Sequence, residues 1–213
     1  MKPSIFESNK RHFDHKDIVI EERTNLHDGF VKVDQVKLRY RLFGGGWSKT
    51  LRRELIVKKQ AAILLPYDPI LDQLVLSEEF RIGALDDRES PWMIELVAGT
   101  VDDGETFEQT ALREAQEEAG LHVTELLPIA RYFSSAGACN EEIQIYCGRI
   151  DAQNAGGVHG LANENEDIRV HRVDAADAFE MLAWGQIRNA ASLIALQWLQ
   201  LHRDSVREQW ALT

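Results

Sequence analysis

The chain reads as an α/β protein: an α/β/α sandwich on a mixed sheet, preceded by a small antiparallel β domain. Three observations lead there. Residues 1–55 carry period-two strand patterns and no helical periodicity. Across residues 56–213 short apolar strands mix with three capped helical stretches, an order that implies a sheet between helical layers. A hydrophobic content of 44% over 213 residues supports one sizeable core plus an appendage and argues against disorder.

The elements follow in order. Ile18 to Arg23 and Phe30 to Val33 read as strands, and Val36, Leu38, Tyr40 and Leu42 alternate with Lys37, Arg39 and Arg41. Gly44 to Gly46 makes a turn, and Trp47 to Val57 is extended again. Such strands without a helix cannot bury both faces alone. This N-terminal β domain must therefore cover itself on the main domain or on a second chain, and the expectation is a homodimer in which it crosses over. Gln60 to Leu65 and Gln73 to Glu78 are short strands separated by a Pro66–Pro69 turn region, and Trp92 to Val97 is a strand leading to Gly99. A helix spans about Thr106 to Ala119 and stops at Gly120, with Phe107, Ala111 and Ala115 as its apolar stripe. Ile129 to Ser134 and Glu142 to Ile150 are strands, Asp151 to Asp167 is a long loop, and Ile168 to Val173 is the last strand. Asp174 caps a helix to Trp184, and Asn189 caps another to about His202.

Composition narrows the function classes. The net charge of −11 argues against a nucleic-acid or anionic-membrane surface, which needs basic patches. The N-terminal MKPSIFESNK lacks the apolar core of a signal peptide. Runs such as Ala61 to Leu65 are too short to span a bilayer. A soluble cytoplasmic protein is expected. Cys139 and Cys147 form no metal pattern and, without export, no expected disulfide. The seven histidines show no ligand spacing.

The densest chemistry lies between Gly99 and Leu121. Asp102, Asp103, Glu105, Glu108, Glu114, Glu117 and Glu118 face a single base, Arg113. Residues three and four apart share a helix face, so Glu114, Glu117 and Glu118 converge. Read alone, they fit either a solvated acidic face or a site of hard oxygen donors for Mg²⁺ or Mn²⁺. The full spacing is more specific: Gly99, five residues, Glu105, seven residues, then Arg113-Glu114-Ala115-Gln116-Glu117-Glu118-Ala119-Gly120-Leu121. This resembles the Nudix box, with Ala115 where a larger aliphatic is usual.

The resemblance implies the Nudix α/β/α sandwich and cleavage of a nucleoside diphosphate linked to another group. It implies more than one Mg²⁺ ion (Mn²⁺ as an alternative) on Glu114 and Glu118, with Glu117 secondary and the carbonyl of Ala98 adding an oxygen. Arg113 would hold a glutamate, and Gly99 and Glu105 would brace the loop. Arg52 to Glu54, Phe80 to Ile82, Trp92 to Val101, Asn163 to His171 and Asn189 to His202 extend the likeness to the bacterial ADP-ribose pyrophosphatases within that family. These imply a swapped dimer that hydrolyses ADP-ribose to AMP and ribose 5-phosphate. Glu164 matches the general base, with Glu166 its rival or, alternatively, a metal ligand. Phe30 and Arg53 match an adenine sandwich, Arg81 a phosphate or ribose contact, and Ser135 and Glu141 the terminal-ribose loop. By position alone Phe30 could equally be a core strand residue, and Arg53 and Arg81 surface pairs. Ala136 stands where such enzymes carry proline, which leaves another nucleoside diphosphate sugar, such as GDP-mannose, as the alternative substrate. A catalytically silent ADP-ribose sensor is the alternative of another class; it would be expected to lack box glutamates, all of which are present.

Overall fold

The computed structural model describes residues 13–161 and 165–211. The chain divides into two compact units, one running up to Lys58 and including Ser135–Glu141, the other formed by Lys59–Ser134 and the chain from Glu142 onward.

The first unit is a three-stranded antiparallel sheet in the order β1 (Ile18–Asp28), β2 (Lys32–Tyr40), β3 (Leu51–Val57). The two strands expected on either side of Asp34 are one strand. The polar Asp34 does not interrupt it, because its carboxylate accepts from Arg23 Nε at 2.6 Å and Asn25 Nδ2 at 3.0 Å on β1. Phe30 lies in the β1–β2 turn rather than in a strand. The third strand starts at Leu51, later than expected, because Trp47 is held back under the guanidinium groups of Arg39 and Arg41. Residues 135–141 attach to β3 through Ile56 N–H to Ala138 O (2.8 Å) and Asn140 N–H to Ile56 O (3.2 Å). Val36 and Cys139 are the buried apolar residues among those described in this unit.

The second unit is an α/β/α sandwich. Its mixed sheet runs β10 (Gly157–His159), β11 (Ile168–Asp174), β5 (Gln73–Phe80), β4 (Ala61–Asp68), β9 (Glu142–Arg149), β8 (Glu125–Phe133), with β6 (Trp92–Glu95) on β5 and β7 (Val97–Thr100) on β4. β4 and β9 are parallel; the other pairs are antiparallel. Strand parity builds two cores. Ile63, Leu65 and Tyr67 of β4, Leu74 and Leu76 of β5, and Ile145 of β9 pack with α2 (Ala175–Ala183) and α3 (Ala190–Ala211). Ala62 and Leu64 of β4, Val75 of β5 and Tyr146 of β9 pack with α1 (Phe107–Ala119) through Ala111, Ala115 and Ala119. The small side chains on that face let α1 sit close to the sheet.

Several sequence expectations need correction. β4 continues through Pro66, which pairs with Gly148 of the parallel neighbour, and the turn begins only where Asp68 Oδ1 accepts from Ile70 and Leu71 N–H. The strand expected over Trp92–Val97 is two, broken at Leu96 so that the chain passes from β5 to β4. The long loop after β9 contains β10. The Asp174 carboxylate accepts from Gln73 Nε2 at 2.8 Å instead of capping α2. α3 runs to Ala211 because Val206 and Trp210 carry its buried stripe beyond His202. Asn189 does cap it, accepting from Ala191 and Ser192 N–H. Among the described residues no helix is long and apolar enough to cross a membrane.

Candidate active site

α1 is built to present carboxylates. Thr106 and Gln109 form a reciprocal capping box at its start, and Gly120 ends it in the left-handed region at φ 63°. Its alanines face the sheet, which turns Glu118 inward: the residue is only 4% exposed. Glu118 Oε2 accepts from Ala98 N–H at 2.9 Å. Burial pushes the Glu118 carboxyl up to about 8, and the charges of Glu79, Glu114 and Glu166 push the same way against the Ala98 hydrogen bond. Burial likewise drives Glu114 up to about 7, opposed by Arg113 and reinforced by Glu117 and Glu166.

Arg113 organises the rest. Its Nη1 donates to Glu114 Oε1 at 2.6 Å and to Glu117 Oε2 at 2.9 Å, and its Nη2 to Thr100 O at 3.2 Å. Nε and Nη2 fork onto Glu105 at 2.9 and 3.0 Å. Glu105 also accepts from Thr110 Oγ1 at 2.9 Å and Asp102 N–H at 3.3 Å. The Arg113 guanidinium, ahead of Thr110, holds the Glu105 carboxyl down at about 2. Gly99 explains itself sterically: a Cβ there would lie 1.8 Å from Glu114 Oε1. The carboxylate occupies the space a side chain would need.

β5 supplies the floor. Ser77, Glu79 and Arg81 share the parity of Val75, which faces α1. Glu95 of β6 lies opposite Ser77 in the register and is 5% exposed. Its Oε2 accepts from Arg81 Nε at 3.0 Å and Nη2 at 2.9 Å, while Arg81 Nη2 also pairs with Glu79 Oε1 at 2.5 Å. Burial raises the Glu79 carboxyl, with Arg81 opposing and Glu95 and Glu166 adding. Motif spacing singles out neither Glu79 nor Glu95. The available signal is a carboxylate at core-facing parity in an apolar strand.

Glu166 is felt by Glu79, Glu114 and Glu118 alike, so its charge faces the same cluster. Its Oε2 accepts from Leu161 N–H at 3.2 Å. Glu164 lies outside the described residues. Phe30, Arg53, Ser135 and Glu141 fall in the first unit. Phe30 is fully exposed, not a core strand residue. Arg53 is exposed and donates from Nη1 to Arg52 O at 3.1 Å. Ser135 O accepts from Ala138 and Cys139 N–H, and Glu141 forms a close ion pair with Lys58.

The donor set suits a hard divalent cation: carboxylate oxygens, of which those of the buried Glu118 and the partly buried Glu114 are driven toward the neutral form by desolvation. Among the described residues, no three acidic, histidine or cysteine side chains are gathered tightly enough to enclose an ion. Arg113 holds Glu114 and Glu117, and the Ala98 amide holds Glu118.

Residues 58–193 match the model of the NUDIX domain. An ADP-ribose pyrophosphatase of Escherichia coli K12 is 47% identical over 199 residues, covering 93% of this chain and 95% of the relative. An ADP-ribose pyrophosphatase of Haemophilus influenzae is 40% identical, covering 94% of each. A GDP-mannose pyrophosphatase of Escherichia coli is 31% identical over 152 residues, 70% of this chain and 78% of the relative. The fold resembles the crystal structure of an ADP compounds hydrolase with a TM-score of 0.65 at 19% identity, covering 86% of this chain and 95% of that one.

Proposed function

Because the chain belongs to the Nudix family, we propose that it is a cytoplasmic, Mg²⁺-dependent ADP-ribose diphosphatase that hydrolyses ADP-ribose to AMP and ribose 5-phosphate. The observation that carries the catalytic half of this reading is the buried Glu118 carboxylate, raised by burial and flanked by Glu79, Glu114 and Glu166. Such a site gains most from a cation beside a diphosphate. The choice of ADP-ribose is supported by relatives of that name at 47% and 40% identity across both units. The GDP-mannose relative matches a shorter stretch at lower identity.

Glu114 and Glu118 would hold Mg²⁺, with Glu117 and the Ala98 carbonyl as further donors, and more than one ion is expected. When bound, the metal neutralises the diphosphate and polarises the attacked phosphorus. Gly99, Glu105 and Arg113 keep the carboxylates placed. Glu164 or Glu166 takes the proton of the attacking water. The water oxygen bonds to the adenosyl phosphorus, and the bond from that phosphorus to the bridging oxygen breaks. Arg81 meets the diphosphate or ribose. Phe30 and Arg53 are proposed to hold the adenine, and Ser135 and Glu141 the terminal ribose, in a homodimer. The exposed apolar residues Ile20, Leu26, Phe30 and Phe43 of the first unit support a second copy as partner.

Turnover of ADP-ribose and GDP-mannose with Mg²⁺ in H₂¹⁸O tests this. The expected result is preference for ADP-ribose with label in AMP. Preference for GDP-mannose would replace the substrate, and inactivity on both would favour a sensor. Glu164→Gln and Glu166→Gln variants distinguish the two candidate bases by which loses turnover.

A further inference from the structure

The structure assigns Glu95 a positioning role: it fixes the Arg81 guanidinium so that one nitrogen remains for an anionic substrate, a role that rests on reading Arg81 as facing the diphosphate or ribose. A carboxylate 5% exposed in an otherwise apolar strand needs a strong reason to be there, since burying an uncompensated charge is costly. The compensation is Arg81. A single oxygen, Glu95 Oε2, receives both Nε and Nη2, at 3.0 and 2.9 Å. Glu79 Oε1 takes a second contact with Nη2 at 2.5 Å. A guanidinium carries its donors on three nitrogens in a planar fork. Two of them are engaged, and Nη1 has no hydrogen-bond partner among the described residues.

The backbone is pinned as well. Arg81 is extended, at φ −121° and ψ 114°, and its N–H donates to Pro91 O at 2.9 Å. Fixed at both ends, the side chain cannot search for its ligand; it is already oriented, which lowers the entropy lost on binding. Glu95 also restrains Arg81 in another sense. The Arg81 charge interacts with that of Glu118. Released from Glu95, the guanidinium would be drawn toward the carboxylates proposed to hold metal.

The test is a double-mutant cycle on Glu95→Ala, Arg81→Ala and their combination, with Glu95→Gln as the conservative variant. KM and kcat are measured with Mg²⁺ on whichever nucleoside diphosphate sugar the wild type turns over best. Loss of a charge-assisted hydrogen bond to the bound anion corresponds to a KM increase of roughly 10- to 100-fold in E95A, with kcat changing less. E95Q, which keeps an acceptor oxygen, should recover most of this. In the R81A background E95A should add little, because both act through one guanidinium. Folded E95A with wild-type KM, or losses that multiply in full with R81A, would overturn the assignment. If E95A does not fold, E95Q carries the cycle: a small KM rise that vanishes in R81A supports the role, and an unchanged KM defeats it. A wild type active on another sugar but not ADP-ribose would remove the substrate reading while leaving this test in force. A wild type inert toward every sugar would sink both.

Discussion

At the scale of single residues, Glu118 and Glu105 show how environment separates two carboxylates of one motif. Glu118 is buried on the sheet side of α1 and raised to about 8; Glu105 is gripped by Arg113 and lowered to about 2. Glu118→Gln keeps an oxygen for the Ala98 amide and removes the charge. Its circular dichroism should match the wild type, while kcat falls by roughly 100-fold or more, the scale of losing one preorganised electrostatic group. Normal turnover would refute the ligand assignment. Glu105 makes a separate prediction about acid. Its folded pKa lies below the ordinary 4.5, so its stabilising effect is complete above pH 4.5 and disappears as the pH falls toward 2. Urea melts across that window should show a shallower loss for Glu105→Gln than for the wild type. Equal slopes would mean that the Arg113 fork does not couple to folding. The acidic turn and Arg113 were legible in the sequence because they are local, three and four residues apart on a helix. Glu95 was not, because only β5–β6 pairing brings it beside Arg81, and Glu79, two residues from Arg81, gave no signal until the parity of β5 placed it on the α1 face.

At the scale of elements, the contact between β7 and α1 is the telling one. The space where a Gly99 Cβ would sit is filled by the far end of the Glu114 side chain, which can move, and not by backbone. Gly99→Ala should therefore fold, with a stability change within about 1 kcal/mol, yet lose at least about tenfold in kcat/KM, since it displaces the Glu114 carboxylate proposed to hold metal. A large drop in Tm would show the glycine serving packing rather than the site. The element boundaries that the sequence misplaced share a cause. Local propensity says that Pro66 ends a strand and that α3 stops near His202. Parallel pairing with β9 carries the chain through Pro66, and burial of Val206 and Trp210 extends α3 to Ala211. In both places tertiary packing outweighs a weak local preference. The helix around the box was legible because its apolar stripe and terminal glycine agree, and the structure adds a Thr106–Gln109 capping box at its start.

At the scale of the whole molecule, the first unit raises the question of assembly. Ile18, Ile20, Leu26 and Tyr40 of its strands and Phe30, Leu42 and Phe43 of its turns are exposed, and exposed apolar groups of this kind are what a partner surface would cover. Light scattering at micromolar concentration is expected to give twice the 24.2 kDa chain mass; a monomer would reject the homodimer. Charge has a consequence at this scale too. With a net charge of −11, the overall field does not attract an anionic substrate; in the proposed reading Arg81 and the cations held by the glutamates would supply that attraction locally. By itself the sequence determined the fold class, the Nudix helix and its carboxylate turn, because each follows from periodicity and spacing along a continuous stretch. Only the tertiary structure decided that Glu118 is buried against Ala98, that Glu114 fills the place of a Gly99 side chain, and that Glu95 grips Arg81. Those facts depend on strand partners chosen across long sequence separations, where burial and register, invisible in local pattern, set which charges meet.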